Sequence, residues 1–183
     1  MLTLLPAFML AGCEQITLDG EDENSAEHGT IHWHLCPQPS SSDALVVPAV
    51  VSFETEKNPD GTKLALLQCW EFTYAVPSVP SLETASLIPW GDPAESFQFD
   101  TKGAYHQPPH TPPAVSLIVF TSGEGTMTIP GTGQKWRGSG GDILIAADTD
   151  GSQEMDWKAG TRVVDFSFWG LDAIPSHKVV PAR

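Results

Sequence analysis

The chain has 183 residues and a formal net charge of −14, because 9 Lys and Arg stand against 23 Asp and Glu. This length is typical of one domain with a sizeable core. The small number of cations argues against a nucleic-acid partner and against attraction to an anionic membrane surface. Glycine and proline, at 16 residues each, disfavour long helices, and a hydrophobic content of 40% excludes disorder throughout. We therefore expect an acidic, loop-rich, all-β domain.

The first 13 residues form an apolar segment that ends in a short motif. Residues 2–11 are almost wholly apolar, no Lys or Arg precedes them, and the segment closes with Leu10-Ala11-Gly12-Cys13. This motif resembles the lipobox of bacterial lipoproteins, in which the cysteine is lipidated and becomes the new N-terminus. The resemblance implies a signal peptide over residues 1–13 and a lipid on Cys13 that anchors the protein in the cell envelope. The apolar run is too short to span a bilayer, and a first β-strand is the alternative reading.

Residues 14–30 are acidic. No cation occurs between Cys13 and Lys57, so like charges repel one another and extend the chain. We interpret residues 14–30 as a flexible tether between the lipid and the folded domain, with a calcium site as the alternative. The acidic residues are Glu14, Asp19, Glu21, Asp22, Glu23 and Glu27.

A histidine pair follows the tether, at His32 and His34. On a strand, residues i and i+2 share a face, so the two imidazoles can converge on one ion, and Cys36 continues the same parity. Such a His-x-His-x-Cys set suits zinc or copper. The alternative is an edge strand with polar side chains, in which Cys36 pairs with Cys69 as a disulfide outside the cytosol. Without that bridge, both cysteines would be small apolar residues buried in separate strands.

Two long strands are predicted before residue 77. Residues 44–56 are apolar and rich in β-branched side chains, and the turn sequence Asn58-Pro59-Asp60-Gly61 leads into residues 62–76. The pattern indicates a β-hairpin within an N-terminal β extension over residues 31–95. A proline-rich connector occupies residues 77–93, with a short helix near residues 82–88.

The remaining chain, residues 96–183, contains short strands separated by glycine turns. This spacing is typical of a β-sandwich or barrel. Asp148 and Asp150 lie in one of the breaks, where turn formation explains them, although both could also act as general acids. The predicted strands cover residues 96–100, 114–121, 125–129, 134–137, 142–146 and 162–169.

Two segments of this region combine an apolar strand with a glycine turn. The first runs from His110 through an apolar strand to the turn Ser122-Gly123-Glu124, and the second runs from Gly140-Gly141-Asp142 to Asp148-Thr149-Asp150-Gly151. Together they resemble the cupin superfamily. The second is similar to a cupin subgroup with "GPGD" followed by "AEDTTG". The resemblance implies an antiparallel β-barrel or jelly roll over residues 96–183, and a homodimer formed through sheet edges.

Cupins bind a divalent metal through two histidines, a glutamate and a histidine of the second motif. Carried over position by position, these ligands fall on His110, Pro112 and Ser116, and on residues 152–154, where Glu154 is the available donor. His106 could join His110 and Glu154 around a divalent transition metal only through a bend at the two intervening prolines. In a straight strand His106 and His110 would lie about 13 Å apart.

These residues support three hypotheses on function. The first is binding of a small organic molecule in the barrel without a complete metal site. The second is a metal-dependent isomerase, lyase or dioxygenase with His106, His110 and Glu154 as ligands, joined by His32 or His34. The third is a structural module whose interior is filled by apolar side chains. That filling would come from Leu117, Val119, Ile143, Ile145 and Val163. Six tryptophans either form a platform for sugar rings or fill the core.

Overall fold

The fold consists almost entirely of β-strands. The computed structural model describes residues 32–33, 35–57, 61–75 and 88–182. These ranges contain twelve strands and one 3₁₀ turn at Leu171–Ala173, so the all-β prediction is confirmed. None of the described segments is a helix long and apolar enough to cross a membrane.

The smaller sheet has five strands in the order β1-β8-β7-β10-β5. Its pairs are antiparallel except for β1 and β8, which run parallel. The strands are β1 (His32–Trp33), β5 (Tyr105–His110), β7 (Glu124–Thr128), β8 (Gln134–Ser139) and β10 (Gln153–Trp157).

The larger sheet has seven strands in the order β12-β3-β2-β9-β6-β11-β4. Only β2 and β9 run parallel in it. The strands are β2 (Ala44–Lys57), β3 (Lys63–Thr73), β4 (Glu95–Asp100), β6 (Val115–Ser122), β9 (Ile143–Ala147), β11 (Arg162–Phe168) and β12 (His177–Val180).

The two sheets face each other and enclose the main core. In β10 the buried Gln153, Met155 and Trp157 alternate with the half-buried Glu154 and the exposed Asp156, as the two-residue period of a strand requires. The apolar side chains between the sheets form one packed cluster. The architecture is a two-sheet sandwich consistent with the predicted jelly roll, and no strand pair of the described chain joins the sheets into a closed barrel.

The outer face of the larger sheet is also buried. Ile174 packs in a second apolar cluster with Trp90 and Phe168, and the ring of His177 stacks on Trp70 at a centroid distance of 3.8 Å. Strands buried on both faces carry apolar residues at consecutive positions, so their sequence does not reveal which side points inward. Leu117, Val119, Ile143 and Ile145, which we expected between the sheets, pack in this outer cluster, and only Val163 belongs to the inner core.

The predicted hairpin is confirmed. Strands β2 and β3 are antiparallel, with Ala44 opposite Thr73. Strand β2 also pairs with β9, so residues of the predicted N-terminal extension and of the predicted barrel core build one continuous sheet. The disulfide between Cys36 and Cys69 ties the segment after β1 to strand β3 and thereby links the two sheets. The short helix expected near residues 82–88 lies outside the described residues.

Three strands were not predicted from the sequence: β5, β10 and β12. Strand β5 contains Pro108 and Pro109, which cannot donate hydrogen bonds to a neighbouring strand. The two prolines are tolerated because β5 is the last strand of the smaller sheet and pairs only with β10.

Candidate functional site

A cleft of about 660 Å³ lies between the two sheets, where each sheet ends in an edge strand. Strands β4 and β5 are these edges, and the loop of residues 101–104 that joins them lines the cleft as well. Inward-facing side chains of β6, β9, β10 and β11 complete the walls. The cleft is therefore the unfilled part of the space that the core occupies elsewhere between the sheets.

The wall formed by the larger sheet carries a polar cluster. Strand pairing places Ser167 opposite Ser116 on one side and opposite Glu95 on the other, with Asp165 two residues before Ser167 on β11. Ser167 donates a hydrogen bond of 3.2 Å to Oδ1 of Asp165, and the hydroxyl oxygens of Ser116 and Ser167 lie 3.4 Å apart. These four residues thus place two carboxylates and two hydroxyl groups on one side of the cleft.

Asp165 is a buried carboxyl group, with 8% of its surface exposed. Burial raises the pKa of Asp165 above its usual range, hydrogen bonds from Ser116 and Ser167 oppose this rise, and the nearby charge of Glu95 adds to it. Keeping a carboxyl group in this setting costs stability. A ligand that supplies a positive charge or additional hydrogen-bond donors would lower that cost.

The opposite wall, formed by the smaller sheet, contains a hydrogen-bonded chain. The indole Nε1–H of Trp157 donates to Oε1 of Gln107 at 3.1 Å, which orients the amide nitrogen of Gln107 toward Nε2 of His110 at 3.0 Å. Because the amide nitrogen of Gln107 can only donate, Nε2 of His110 accepts this hydrogen bond. The Nδ1–H of the same imidazole donates to the carbonyl oxygen of Pro108 at 3.0 Å. Both ring nitrogens of His110 are therefore engaged within the protein.

Gln153 lies beside His110 on this wall, opposite it in the β5–β10 pairing. It is only 3% exposed, and its Oε1 is buried without a hydrogen-bond partner in the described structure. A buried, unpaired acceptor is rare and costs free energy. This acceptor is thus a candidate contact for a hydrogen-bond donor brought by a ligand.

Aromatic side chains surround the polar groups. Phe99 packs edge-on against Trp157 at a centroid distance of 5.0 Å. Phe97 and Tyr105 also line the cleft from the two edge strands, and both are about half exposed. The apolar rings give the cleft the mixture of apolar walls and few polar groups that is typical of small-molecule sites.

The metal ligands expected from the sequence are not gathered in this cleft. His110 lines it, but His106 pairs with Asp156 through Nδ1 at 2.8 Å, and both of these side chains are exposed. Glu154 follows the alternation of β10 and does not line the cleft, whereas its neighbour Gln153 does. Among the described residues, no group of three or more His, Cys, Asp or Glu side chains is arranged to hold a metal ion.

The positions assigned to ligands by the cupin resemblance do share the cleft. His110, Pro112 and Ser116 line it, and so does Gln153 within the expected second-motif window of residues 152–154. One of these four residues is a histidine, and the other three are poor ligands for a transition metal. These four positions therefore line one cavity, with a set of side chains that differs from the ligand set the resemblance implies.

The other predicted site residues have separate outcomes. Cys36 and Cys69 form the expected disulfide, with Cα atoms 5.5 Å apart. The turn expected at residues 148–151 is present, since the amide of Gly151 donates to the carbonyl oxygen of Asp148. Cys13, the expected lipidation site, lies outside the described residues, as do His34 and the side chain of His32.

Sequence reasoning missed the roles of Asp165, Ser167, Gln107 and Gln153. One signal was present in β11, where Asp165 and Ser167 alternate with aromatic residues and so place polar groups on a single face. No family model matches the chain, and neither a curated protein nor a solved structure was found to match it.

Proposed function

We propose that this protein binds a small organic molecule in the cleft between its two sheets, on a degenerate cupin-like scaffold. The observation that carries the proposal is the cleft itself, with its volume of about 660 Å³ and its polar groups on both walls. A cavity of this size falls in the range that small-molecule sites occupy. A structural module would gain nothing from an unfilled interior that holds a buried carboxyl group.

The donor set of the cleft favours binding over metal-dependent catalysis. A catalytic zinc site supplies three protein ligands. His110 is the only histidine that lines the cleft in the described chain, and its two ring nitrogens already bind Gln107 and the carbonyl of Pro108. A metal at His110 would have to break one of these hydrogen bonds.

We further propose that the protein acts outside the cytosol, held in the cell envelope by a lipid on Cys13. The bridge between Cys36 and Cys69 supports export, because disulfides persist in oxidising compartments. Metabolic labelling with a fatty-acid analogue tests the anchor, with Cys13→Ser as the control. Equal labelling of both proteins would contradict it.

A screen of small organic compounds by ligand-observed NMR tests the binding function. Ala104→Trp adds bulk at an exposed position that lines the cleft, and Ala159→Trp adds the same bulk at an exposed position that does not. We expect compounds that bind the wild type and Ala159→Trp but lose binding to Ala104→Trp. An absence of such compounds overturns the proposal.

Metal analysis of protein purified without chelator provides the second readout. We expect less than stoichiometric transition metal. A stoichiometric metal that is lost in His110→Ala would favour the metal-dependent enzyme instead.

A further inference from the structure

The cleft leaves a group of hydrogen-bond acceptors available to a ligand: the carboxylate oxygens of Asp165 and Glu95 and the buried Oε1 of Gln153. Resting on the function proposed above, we propose that the ligand is an organic ammonium ion: a protonated amine carried on an aromatic or other apolar body. The amine would lie against Asp165 and Glu95, and the apolar body would lie among the aromatic rings.

Three hydrogen-bond donors of the cleft are used inside the protein. The hydroxyl of Ser167 donates to Asp165, the amide of Gln107 donates to His110, and the indole of Trp157 donates to Gln107. The buried Oε1 of Gln153, by contrast, accepts from no described group. This oxygen and the carboxylates of Asp165 and Glu95 would each accept from a donor on a ligand, and a protonated amine brings several donors.

The charges of the cleft are negative on balance, because the carboxylates of Asp165 and Glu95 stand against one lining cation that forms no ion pair in the described structure, Lys102 on the exposed loop between β4 and β5. Asp100 lines the cleft, but Arg162 binds it through two hydrogen bonds of 2.9 and 3.1 Å and so neutralises it. Asp165 and Glu95 form no ion pair with a Lys or Arg in the described structure. Their carboxylates are thus available, and the net charge of −14 attracts cations over a longer range.

The aromatic rings suit the same ligand. Phe97 and Tyr105 face the cleft from its two edges, and Trp157 lies deeper, next to Phe99. A cation over an aromatic face is stabilised by the ring quadrupole, and more strongly when water is excluded. A sugar would also stack on such rings, but it carries no positive charge to pair with the carboxylates of Asp165 and Glu95.

Isothermal titration calorimetry with matched probes at pH 7 tests the ligand class. Tryptamine, which is protonated at this pH, is compared with its neutral analogue tryptophol and with the anion indolepropionate, which share its indole ring. Methyl glucoside represents the sugar alternative. We expect tryptamine to bind at least tenfold more tightly than tryptophol, and indolepropionate to bind most weakly.

Two variants locate the effect. Asp165→Asn keeps the shape of the side chain and removes the charge, so we expect tryptamine affinity to fall about tenfold while tryptophol affinity is unchanged. Asp156→Asn removes a carboxylate from the exposed outer side and serves as the matched control, which should leave both affinities unchanged. Glu95→Gln, on the exposed edge strand β4, gives a smaller loss and replaces Asp165→Asn if that variant does not fold.

The outcomes separate this inference from the binding function. Three results would overturn the ammonium ligand. Tryptophol could bind as tightly as tryptamine, methyl glucoside could bind in place of tryptamine, or the wild type could bind no tryptamine. The binding function would still stand in each case if the Ala104→Trp variant loses compounds that Ala159→Trp retains. An equal loss of tryptamine affinity in Asp156→Asn and Asp165→Asn also overturns the inference, because the effect would then be a general one of net charge.

Discussion

The two sides of the sandwich differ in how the sheets are held together. On the side of β3, the Cys36–Cys69 bridge and the side chain of Gln134 connect the sheets, and Gln134 bonds both backbone groups of Leu67 at 3.0 and 3.3 Å. On the side of β4 and β5, the cleft lies between the sheets, and the loop of residues 101–104 joins these two edge strands.

This difference shows a division of roles within one small domain. The β3 side supplies covalent and hydrogen-bonded links that hold the sheets at a fixed separation. The β4–β5 side can then keep a buried carboxyl group and an unpaired amide oxygen, each of which costs stability. Binding sites commonly carry such costs because the same groups are needed for the ligand.

Removal of the disulfide should produce the largest change. The bridge spans a sequence separation of 33 residues, so Cys36→Ser should lower the free energy of unfolding by about 3 to 4 kcal/mol. Urea denaturation followed by tryptophan fluorescence measures the loss. Wild type treated with a reductant is the control and should lose the same amount. A loss below about 1 kcal/mol would contradict the role assigned to the β3 side.

Replacement of the buried Asp148 should give the next largest effect on stability. Asp148 follows β9, has 0% of its surface exposed, and its carboxyl oxygens have no hydrogen-bond partner among the described residues. Burial raises the pKa of Asp148 from 3.8 to about 6. The folded state therefore holds the proton more tightly than the unfolded state, and the stability falls as the pH rises through this window.

Asp148→Asn should remove this pH dependence. The difference between the pKa values of 3.8 and about 6 corresponds to about 3 kcal/mol as an upper bound. The stability of the variant relative to wild type should therefore rise by up to that amount from about pH 3.5 to about pH 7, the range over which the unfolded and the folded protein release this proton. Urea denaturation at several pH values measures the difference between the two proteins. A difference that stays constant with pH would show that Asp148 does not titrate in this window.

The link through Gln134 should contribute less. Strand β12 pairs with β3 only over residues 69–72, so the backbone of Leu67 lies on a free stretch of the β3 edge that Gln134 completes. Gln134→Ala leaves these buried groups unpaired and should cost about 2 kcal/mol in the free energy of unfolding. Arg137→Ala, on the same strand, removes an exposed ion pair with Glu124 and should cost less than about 1 kcal/mol.

The sequence predicted the β3 side of the molecule better than the cleft. The hairpin of residues 44–73 was predictable because its strands are strongly apolar and the sequence Asn58-Pro59-Asp60-Gly61 between them is typical of a turn. Strand β5 was not, because its two prolines disguise an edge strand. The sequence did not show that Asp165 and Ser167 point between the sheets, because the larger sheet is buried on both faces and its apolar positions do not alternate.

Asp165→Asn should change stability less than Gln134→Ala does, and the change should be a gain, as for Asp148→Asn. Burial and the charge of Glu95 raise the pKa of Asp165, so ionisation of Asp165 disfavours the folded state as the pH rises above the usual range of an aspartate. The variant should therefore be slightly more stable than wild type at pH 7, by less than the loss in Gln134→Ala, and the gain should disappear at low pH. Asp156→Asn, at an exposed ion pair, should change stability by no more than about 0.5 kcal/mol.

A variant that gains stability and loses ligand affinity would identify Asp165 as a residue kept for binding, since packing alone would favour the neutral amide. Thermal unfolding at pH 7 and at pH 4, measured on the same samples as the tryptamine titration, gives both quantities. If Asp165→Asn were less stable than Asp156→Asn at pH 7, the carboxylate would be stabilising the β4–β5 side. The contrast between a stabilising β3 side and a costly cleft would then be wrong.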